Sequence, residues 1–225
     1  MKKNAIINTG NARIFTKFSP KEQEDILAFG NATTQVFSKE ETILSEGSRL
    51  NNIMLLLEGR VQGVHFHEDG TLDLVELFLA GDLIGLDIVC SPSRRCPFSL
   101  CALDECCIVS VDYDALFSEK LDPDAMRKLH ENMIHELSLN NLKRLHKIEV
   151  LYRKSLRERI CVFLRNRAML VGDRFVEVDM DREQFAQYLG VNRSSLSHEL
   201  AMMRQDGLIE FRKGSFTILS DEVFR

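Results

Sequence analysis

Residues 181–207, DREQFAQYLGVNRSSLSHELAMMRQDG, predict two helices joined by a tight turn. Asp181, with a glutamine three residues later, forms a capping box that starts the first helix. Gly190 marks the turn. A helix-turn-helix needs a small residue facing the core from its first helix and an apolar residue anchoring its second, and Ala186 and Leu196 occupy these positions. The pattern indicates a DNA-binding motif.

The second helix of this motif begins with polar residues. Short hydroxyl side chains at a helix N-terminus can bond to phosphate groups without blocking a close approach to the DNA groove. An arginine at the same place can make a bidentate contact with the edge of guanine. The candidate DNA-contacting residues of this helix are Asn192, which is also its predicted cap, Arg193, Ser194, Ser195, Ser197 and His198.

The sequence that follows the motif strengthens this interpretation. Residues 205–219, QDGLIEFRKGSFTIL, predict two short strands joined at a Lys-Gly turn, and RFVEVDM at 174–180 predicts a third strand. Arg212 and Lys213 then lie at the tip of a hairpin, as in a winged helix. An ordinary helical hairpin with a polar surface is the alternative explanation of the two helices, but it does not account for the wing.

Residues 31–115 have a different sequence pattern, in which short runs typical of β-strands are separated by residues typical of turns. The EDG sequence at 68–70 lies between two such runs and predicts a hairpin. Strands at this regular spacing indicate an antiparallel roll or barrel and not a βαβ fold. A brief helix precedes them, with Ser19 as its cap and Pro20 in its first turn.

A long helix is predicted from Asp122 onward, because after Pro123 neither glycine nor proline occurs in the next twenty residues. At ~1.5 Å per residue it would be roughly 40 Å long, which is more than a small domain needs. We therefore expect its apolar stripe to meet the same helix of a second copy, as in a coiled coil. The alternative is a helix packed along its own domain. The stripe consists of Met126, Leu129, Met133, Leu137, Leu145 and Ile148.

A new helix is predicted to begin at Ser155, whose glutamate three residues later completes a capping box. Residues 151–154 are therefore a candidate hinge. The expected fold is α+β with three parts. Residues 1–121 form an antiparallel β-roll sensor of the double-stranded jelly-roll-like type, residues 122–150 form a dimerisation helix, and residues 151–225 form a winged helix-turn-helix domain.

Composition sets limits on the class of protein. The 225 residues are 44% hydrophobic and 28% charged, with a net charge of −5, as expected of a globular chain. No apolar run of about 18 residues is present, so no membrane span is expected.

Residues 151–225 hold 13 Lys and Arg against 11 Asp and Glu, whereas the rest holds 16 against 23. The first residues have no apolar region of the kind a secretory signal needs, so none is expected, and the six cysteines are then expected to be free thiols in a reducing cytoplasm.

The order of these parts resembles the Crp/Fnr family of bacterial transcription regulators over nearly the whole chain. The most specific similarity is the segment 181–211, and GRVQGVHFHEDG at 59–70 with LAGDLIG at 79–85 is similar to the family's β-roll hairpin and glycine-bounded turn. The resemblance implies a β-roll sensor, a dimerisation helix and a DNA-binding winged domain.

The resemblance also assigns roles within the DNA-binding segment. Arg193 matches the family's guanine-reading arginine, while Ser195 and Arg182 match phosphate-contacting positions. Ser197 matches a serine of the Fnr branch. Two residues depart from the pattern, and they imply a different half-site from those of the two well-known branches: Ser194 replaces a base-reading glutamate and His198 replaces an arginine.

By the same resemblance, the effector binds in the β-roll. In the cyclic-AMP branch a glutamate holds the ribose and an Arg-Ser pair holds the phosphate, and these positions fall on Leu86, Cys96 and Pro97. Leucine cannot accept a ribose hydrogen bond and proline has neither hydroxyl nor N–H, so cyclic AMP is not expected to bind. The candidate effector pocket comprises Gly81, Gly85, Leu86, Arg94, Arg95 and Cys96.

The sequence identifies no cofactor. The Fnr branch holds an iron–sulfur cluster through N-terminal cysteines, and this chain has no cysteine before Cys90. Five cysteines between positions 90 and 107 lack a CxxC spacing, so we interpret them as buried structural thiols, with a thiol switch as the alternative. His65 and His67 share a strand face and are interpreted as solvated. Haem and an iron–sulfur cluster remain alternatives without motif support, and no metal site is predicted.

The expected function is that of a cytoplasmic homodimer that binds double-stranded DNA at a palindromic operator. A small-molecule or redox effector at the β-roll would control it, and the resemblance implies RNA polymerase as a partner. The alternative is a ligand-binding signalling module whose DNA-binding domain is vestigial. No nucleophile–base motif, Gly-rich phosphate loop or metal-ligand spacing is present, so no catalytic residue is predicted and an enzyme is not expected.

Overall fold

β-Strands dominate the first half of the chain and helices the second. The computed structural model describes residues 12–117 and 121–224. Residues 1–11, where no secretory signal is predicted, lie outside this description. The described residues form two compact units. The first unit extends to Leu139 and leaves out Leu72–Leu74, and the second unit comprises Leu72–Leu74 and the residues from Asn140 onward.

The helices and strands follow the predicted order. In the first half they are α1 (Pro20–Phe29), β1 (Thr33–Phe37), β2 (Thr42–Leu44), β3 (Asn52–Glu58), β4 (Arg60–Phe66), β5 (Leu72–Leu79), β6 (Leu83–Ile84), α2 (Leu86–Val89), β7 (Ser99–Ala102), β8 (Cys106–Asp112) and α3 (Tyr113–Leu116). They are followed by α4 (Pro123–Leu151), α5 (Leu156–Val171), β9 (Phe175–Glu177), α6 (Arg182–Tyr188), α7 (Arg193–Gln205), β10 (Ile209–Arg212) and β11 (Ser215–Ile218).

The predicted antiparallel β-roll is confirmed. Its strands form two four-stranded sheets, ordered β1-β8-β3-β6 and β2-β7-β4-β5, and side chains from both sheets contribute to one hydrophobic core. The central strand β3 pairs with β8 in antiparallel register, with Leu55 opposite Val109. The hairpin predicted at 68–70 joins β4 to β5, where the amide of Gly70 donates to the carbonyl of His67 at 3.0 Å.

The predicted helix starts are confirmed by their hydrogen bonds. Ser19, Ser155 and Asp181 each accept a bond from the backbone N–H three residues later, and the side chain at that later position bonds back to the cap. Each reciprocal pair satisfies N–H groups that have no partner within the helix. The cap at Ser155 also separates α5 from α4, so the chain leaves helical geometry within the predicted hinge.

Helix α4 corrects the prediction for its apolar stripe. Leu129 and Met133 are buried in the core of the first unit, so this part of the helix packs on its own domain. Leu142, Leu145 and Ile148 are each 50% exposed. Packing along its own domain therefore holds for the first turns of the helix, whereas contact of Leu142, Leu145 and Ile148 with a second copy stays a prediction. In the described part of the chain, no helix is long and apolar enough to cross a membrane.

An ionic cluster with two buried carboxylates links three distant segments of the first unit. The guanidinium of Arg13 lies 2.7 Å from a carboxylate oxygen of Glu136 on α4 and 2.7 Å from one of Asp82 in the turn between β5 and β6. The side chain of Glu136 is only 1% exposed. Asp82 also accepts from the backbone N–H of Leu79 at 2.9 Å. A single guanidinium therefore compensates two carboxylates that have little access to water.

The second unit contains the predicted winged arrangement. Strands β10 and β11 form an antiparallel hairpin, and β9 pairs with β11 to complete a three-stranded sheet. Phe163 of α5, Phe185 of α6 and Phe216 of β11 form consecutive ring contacts, with centroids 4.9 and 5.9 Å apart. These aromatic side chains join the helices to the sheet and hold the motif in place.

We predict that Arg13→Met lowers the free energy of unfolding by about 3 kcal/mol, because it leaves the buried carboxylate of Glu136 unpaired. Chemical denaturation measured by circular dichroism reports this loss. The matched control is Arg127→Met, since Arg127 pairs with Asp124 and Glu131 only on the exposed surface of α4. The control should cost less than about 1 kcal/mol. Equal losses in the two variants would show that burial of Glu136 adds nothing.

Candidate nucleic-acid interface

The two helices of the motif are held by a fully buried contact. Ala186 of α6 and Leu196 and Leu200 of α7 are each 0% exposed. Between the helices, Gly190 has a φ of +69°, a left-handed conformation that side chains disfavour. The amide of Val191 then donates to the carbonyl of Ala186 at 3.0 Å. This turn directs α7 so that its leucines face the core and its polar first turn faces solvent.

Hydrogen bonds at the start of α7 order its polar side chains. The side-chain oxygen of Asn192 accepts from the backbone N–H of Ser195 at 2.8 Å, which confirms the predicted cap. The hydroxyl of Ser194 donates to the same oxygen at 2.7 Å. The hydroxyl of Ser197 donates to the carbonyl of Arg193 at 2.8 Å. The side chains predicted to contact DNA from this helix are all exposed, namely Asn192, Arg193, Ser194, Ser195, Ser197 and His198.

Two arginines of α5 form hydrogen bonds with this helix pair. Arg157 lies 2.6 Å from carboxylate oxygens of both Glu199 on α7 and Asp206 just after it. Arg159 donates to the carbonyl of Leu189 at 2.8 Å, where α6 ends. Neither arginine is predicted from the sequence to have this role. They lie 30 or more residues from their partners, and no local pattern identifies such contacts.

The wing places its cationic tip beside the start of α6. Lys213 has a φ of +53° at the turn, and both Arg212 and Lys213 are exposed. A side chain on Gly214 would come within 2.7 Å of the carbonyl of Val178, so only glycine allows the hairpin to approach β9 this closely. The guanidinium of Arg182 donates to the carbonyl of Lys213 at 3.2 Å, which joins the wing to α6.

Arg182 is held on an aromatic platform that the sequence analysis did not predict. Its guanidinium carbon lies 5.2 Å from the ring centroid of Phe211 and 5.9 Å from that of Phe216. Burial lowers the pKa of Arg182, and the positive charge of Arg193 lowers it further. Beside it lies a hollow of 180 Å³ whose lining includes Lys213. Within the described residues no carboxylate pairs with Arg182, so its charge is available to an anion.

The residues predicted to form an effector pocket lie in the first unit and do not present a common open surface. Gly81, Gly85, Leu86 and Cys96 are buried. The guanidinium of Arg94 makes two hydrogen bonds to the carboxylate of Asp114, at 2.6 and 2.7 Å. Arg95 is exposed and donates to the carbonyl of Gly47 at 2.7 Å. The amide of Gly81 donates to the carbonyl of Leu56 in β3, whereas that of Cys96 donates to the carbonyl of Ser48 in the loop before β3.

The cysteines and histidines do not form a metal site in the described part of the chain. No group of three or more His, Cys, Asp or Glu side chains there could hold a metal ion. Cys96, Cys101 and Cys106 are buried, and burial raises the pKa of each thiol. Cys90 is exposed and its thiol donates to the hydroxyl of Tyr113 at 3.4 Å. His65 lies 3.1 Å from a carboxylate oxygen of Glu46.

Two families of domain match the chain. Residues 158–223 match the Crp-like helix-turn-helix domain, and residues 34–119 match the cyclic nucleotide-binding domain. Helices α6 and α7 and the wing lie inside the first match, and the strands of the β-roll lie inside the second. The two matches do not overlap.

Relatives match most of the chain. Electron transport regulator A of Shewanella oneidensis is 27% identical over 188 residues, which are 81% of this chain and 73% of that protein. The nitrogen fixation regulation protein FixK of Bradyrhizobium diazoefficiens is 27% identical over 191 residues, or 81% and 76% of the two chains. The solved structure of FixK2 from Bradyrhizobium japonicum has a TM-score of 0.62 at 20% identity, covering 85% of this chain and 94% of that one. It has the same fold.

We predict that Arg182→Met weakens binding to all DNA duplexes by a similar factor and reduces the dependence of log K on log salt by about one. Fluorescence anisotropy over a salt series measures both quantities. Arg204→Met is the matched control, because Arg204 also stacks on Phe211, at 4.1 Å, but pairs with Glu210. The control should keep the salt dependence of the unchanged protein. A full salt dependence in Arg182→Met would contradict a phosphate contact.

Proposed function

Because the chain belongs to the Crp/Fnr family of transcription regulators, we propose that it acts as a homodimer that reads a palindromic DNA operator with two copies of α7. One observation carries the proposal. Helix α7 is fixed by buried leucines on one side and presents six polar side chains on the other, beside the unpaired Arg182 and the wing. Helices of this kind enter the major groove, and two of them bind half-sites one helical turn apart.

The direct test is a selection of binding sequences from a pool of random duplexes with the full-length chain. The selection is run in buffer and again with the small-molecule fraction of a cell extract, which supplies a diffusible effector. We expect enrichment of one motif with two-fold symmetry. A pool that stays random under both conditions would favour the alternative, a signalling module with a vestigial DNA-binding domain.

The second half of α4 supports the homodimer. Leu142, Leu145 and Ile148 are spaced three residues apart and are all exposed, so they form an apolar stripe on one side of the helix. Exposed leucine and isoleucine at this spacing on a long helix suit contact with a second copy of the same helix. A closed two-fold dimer would also match the symmetry of a palindromic operator.

Control of DNA binding is assigned to the β-roll, where a small molecule or a redox change would act. The contacts of this unit disfavour cyclic AMP, because Leu86 is 1% exposed and apolar and Arg94 is already bonded to Asp114. The exposed thiol of Cys90 is the most accessible of the cysteines described. We further propose that the chain works in the cytoplasm, with RNA polymerase as the partner through which binding affects transcription.

We predict that the double variant Leu145→Glu/Ile148→Glu is monomeric at concentrations where the unchanged chain is a dimer, since four buried charges would oppose the contact. Sedimentation velocity gives the mass directly. The matched control is Met169→Glu/Leu170→Glu, two residues of α5 that are 72% and 70% exposed. The control should stay dimeric. Dimers in both variants would exclude this stripe as the interface.

We predict that Arg193→Ala weakens binding to the selected operator by about 1–3 kcal/mol and relaxes the base preference at one position of each half-site. Titrations of the selected and a random duplex measure the two affinities. Arg212→Ala serves as control, because a wing contact to phosphate should weaken both duplexes equally. An equal loss on both duplexes for Arg193→Ala would mean that Arg193 does not read a base.

A further inference from the structure

The cap of α7 determines which way the hydroxyl proton of Ser194 points. The side-chain oxygen of Asn192 accepts the backbone N–H of Ser195, so this atom is the amide oxygen and not the amide nitrogen. The hydroxyl of Ser194 lies 2.7 Å from the same oxygen. An amide oxygen carries no hydrogen, so the hydroxyl must be the donor. Its only proton is committed to the cap.

The hydroxyl of Ser194 can therefore take part in further hydrogen bonds only as an acceptor. A serine oxygen has two lone pairs, and neither is used by the contact with Asn192. The side chain is exposed. Ser194 precedes Leu196 by two residues on α7, which places it on the side of the helix opposite to the buried leucines. Its lone pairs therefore face whatever the exposed side of α7 meets.

The neighbouring Ser195 has the opposite character. Its backbone N–H bonds to the cap, but its hydroxyl makes no hydrogen bond to any part of the chain that the structure describes. This hydroxyl is free to donate, which is what a phosphate oxygen requires. Two adjacent and exposed serines thus offer different hydrogen-bonding groups.

The base edges of the major groove distinguish these groups. Adenine presents an amine there through N6 and cytosine through N4, whereas the hydrogen-bonding groups of guanine and thymine there are all acceptors. We propose that Ser194 reads the operator as a hydrogen-bond acceptor and selects adenine or cytosine, through the exocyclic amine, on the strand that it faces. The inference rests on the proposed function, and it adds the chemical class of base that this residue recognises.

The opposite role would disturb the cap. To donate to N7 or O6 of a guanine, or to a phosphate, Ser194 must first give up its bond to Asn192. Accepting from an amine leaves that bond in place and adds one. The bond to Asn192 also makes the Ser194 oxygen a better acceptor, because successive hydrogen bonds in a chain polarise and strengthen one another.

The first step of the test compares three proteins in the selection from random duplexes: the unchanged chain, Ser194→Ala and Ser195→Ala. We expect Ser194→Ala to lose the preference at one position of each half-site. Ser195→Ala should keep every preference and bind all duplexes more weakly. Both variants retain the bond between Asn192 and the Ser195 amide, and thermal unfolding by circular dichroism checks that α7 is intact. An unchanged motif with Ser194→Ala would overturn the inference.

The second step removes single groups from the base pair at that position. Adenine is replaced by unsubstituted purine, or cytosine by 2-pyrimidinone, to delete the amine. In a second duplex the purine of the pair is replaced by its 7-deaza form to delete the N7 acceptor. We expect loss of the amine to weaken binding of the unchanged chain by about fivefold and to leave Ser194→Ala unaffected. Loss of N7 should have no effect that depends on Ser194.

The outcomes separate this inference from the proposed function. Sensitivity to the 7-deaza base that disappears in Ser194→Ala would show that the hydroxyl donates, and would overturn the inference while the function stands. Equal sensitivity of both proteins to loss of the amine would assign the contact to another residue, with the same consequence. A chain that enriches no sequence at all would overturn the proposed function itself, and this inference with it.

Discussion

The burial of Leu196, Leu200 and Met203 is the constraint on which the interface depends. All three are 0% exposed, so α7 cannot rotate about its axis without exposing apolar surface. The same constraint fixes which residues face solvent. It therefore explains why the first turn of α7 can contain serines, which are poor helix formers. The cap at Asn192 and the brace from Arg157 act on a helix whose orientation the leucines have already set.

Helix α4 serves two kinds of packing with one continuous backbone. Its first turns contribute Leu129 and Met133 to the core of the β-roll and Glu136 to the ionic cluster with Arg13 and Asp82. Its last turns leave Leu145 and Ile148 exposed. The first turns of α4 are thus attached to the turn between β5 and β6 and to the segment around Arg13.

Sequence reasoning succeeded where the deciding interactions are local. The caps at Ser19, Ser155 and Asp181 involve residues three apart, and the hairpin at 68–70 involves neighbours, so a short stretch of sequence determines each. It failed where distant segments decide. Leu129 and Leu145 have the same spacing pattern and the same chemistry, and only the tertiary fold buries one and exposes the other. The aromatic platform under Arg182 and the pairing of Arg94 with Asp114 are likewise invisible to local patterns.

The charge of residues 151–225 matters through which side chains are paired and not through its sum. Residues 151–225 carry only two more basic than acidic side chains, which is weak evidence for a DNA-binding protein. Most of their arginines are neutralised within the fold, as Arg157, Arg174 and Arg204 are by nearby carboxylates. Within the described residues Arg182, Arg193 and Arg212 form no salt bridge. These three unpaired arginines lie on α6, on α7 and at the wing, so a nearly neutral domain still presents positive charge on the candidate interface.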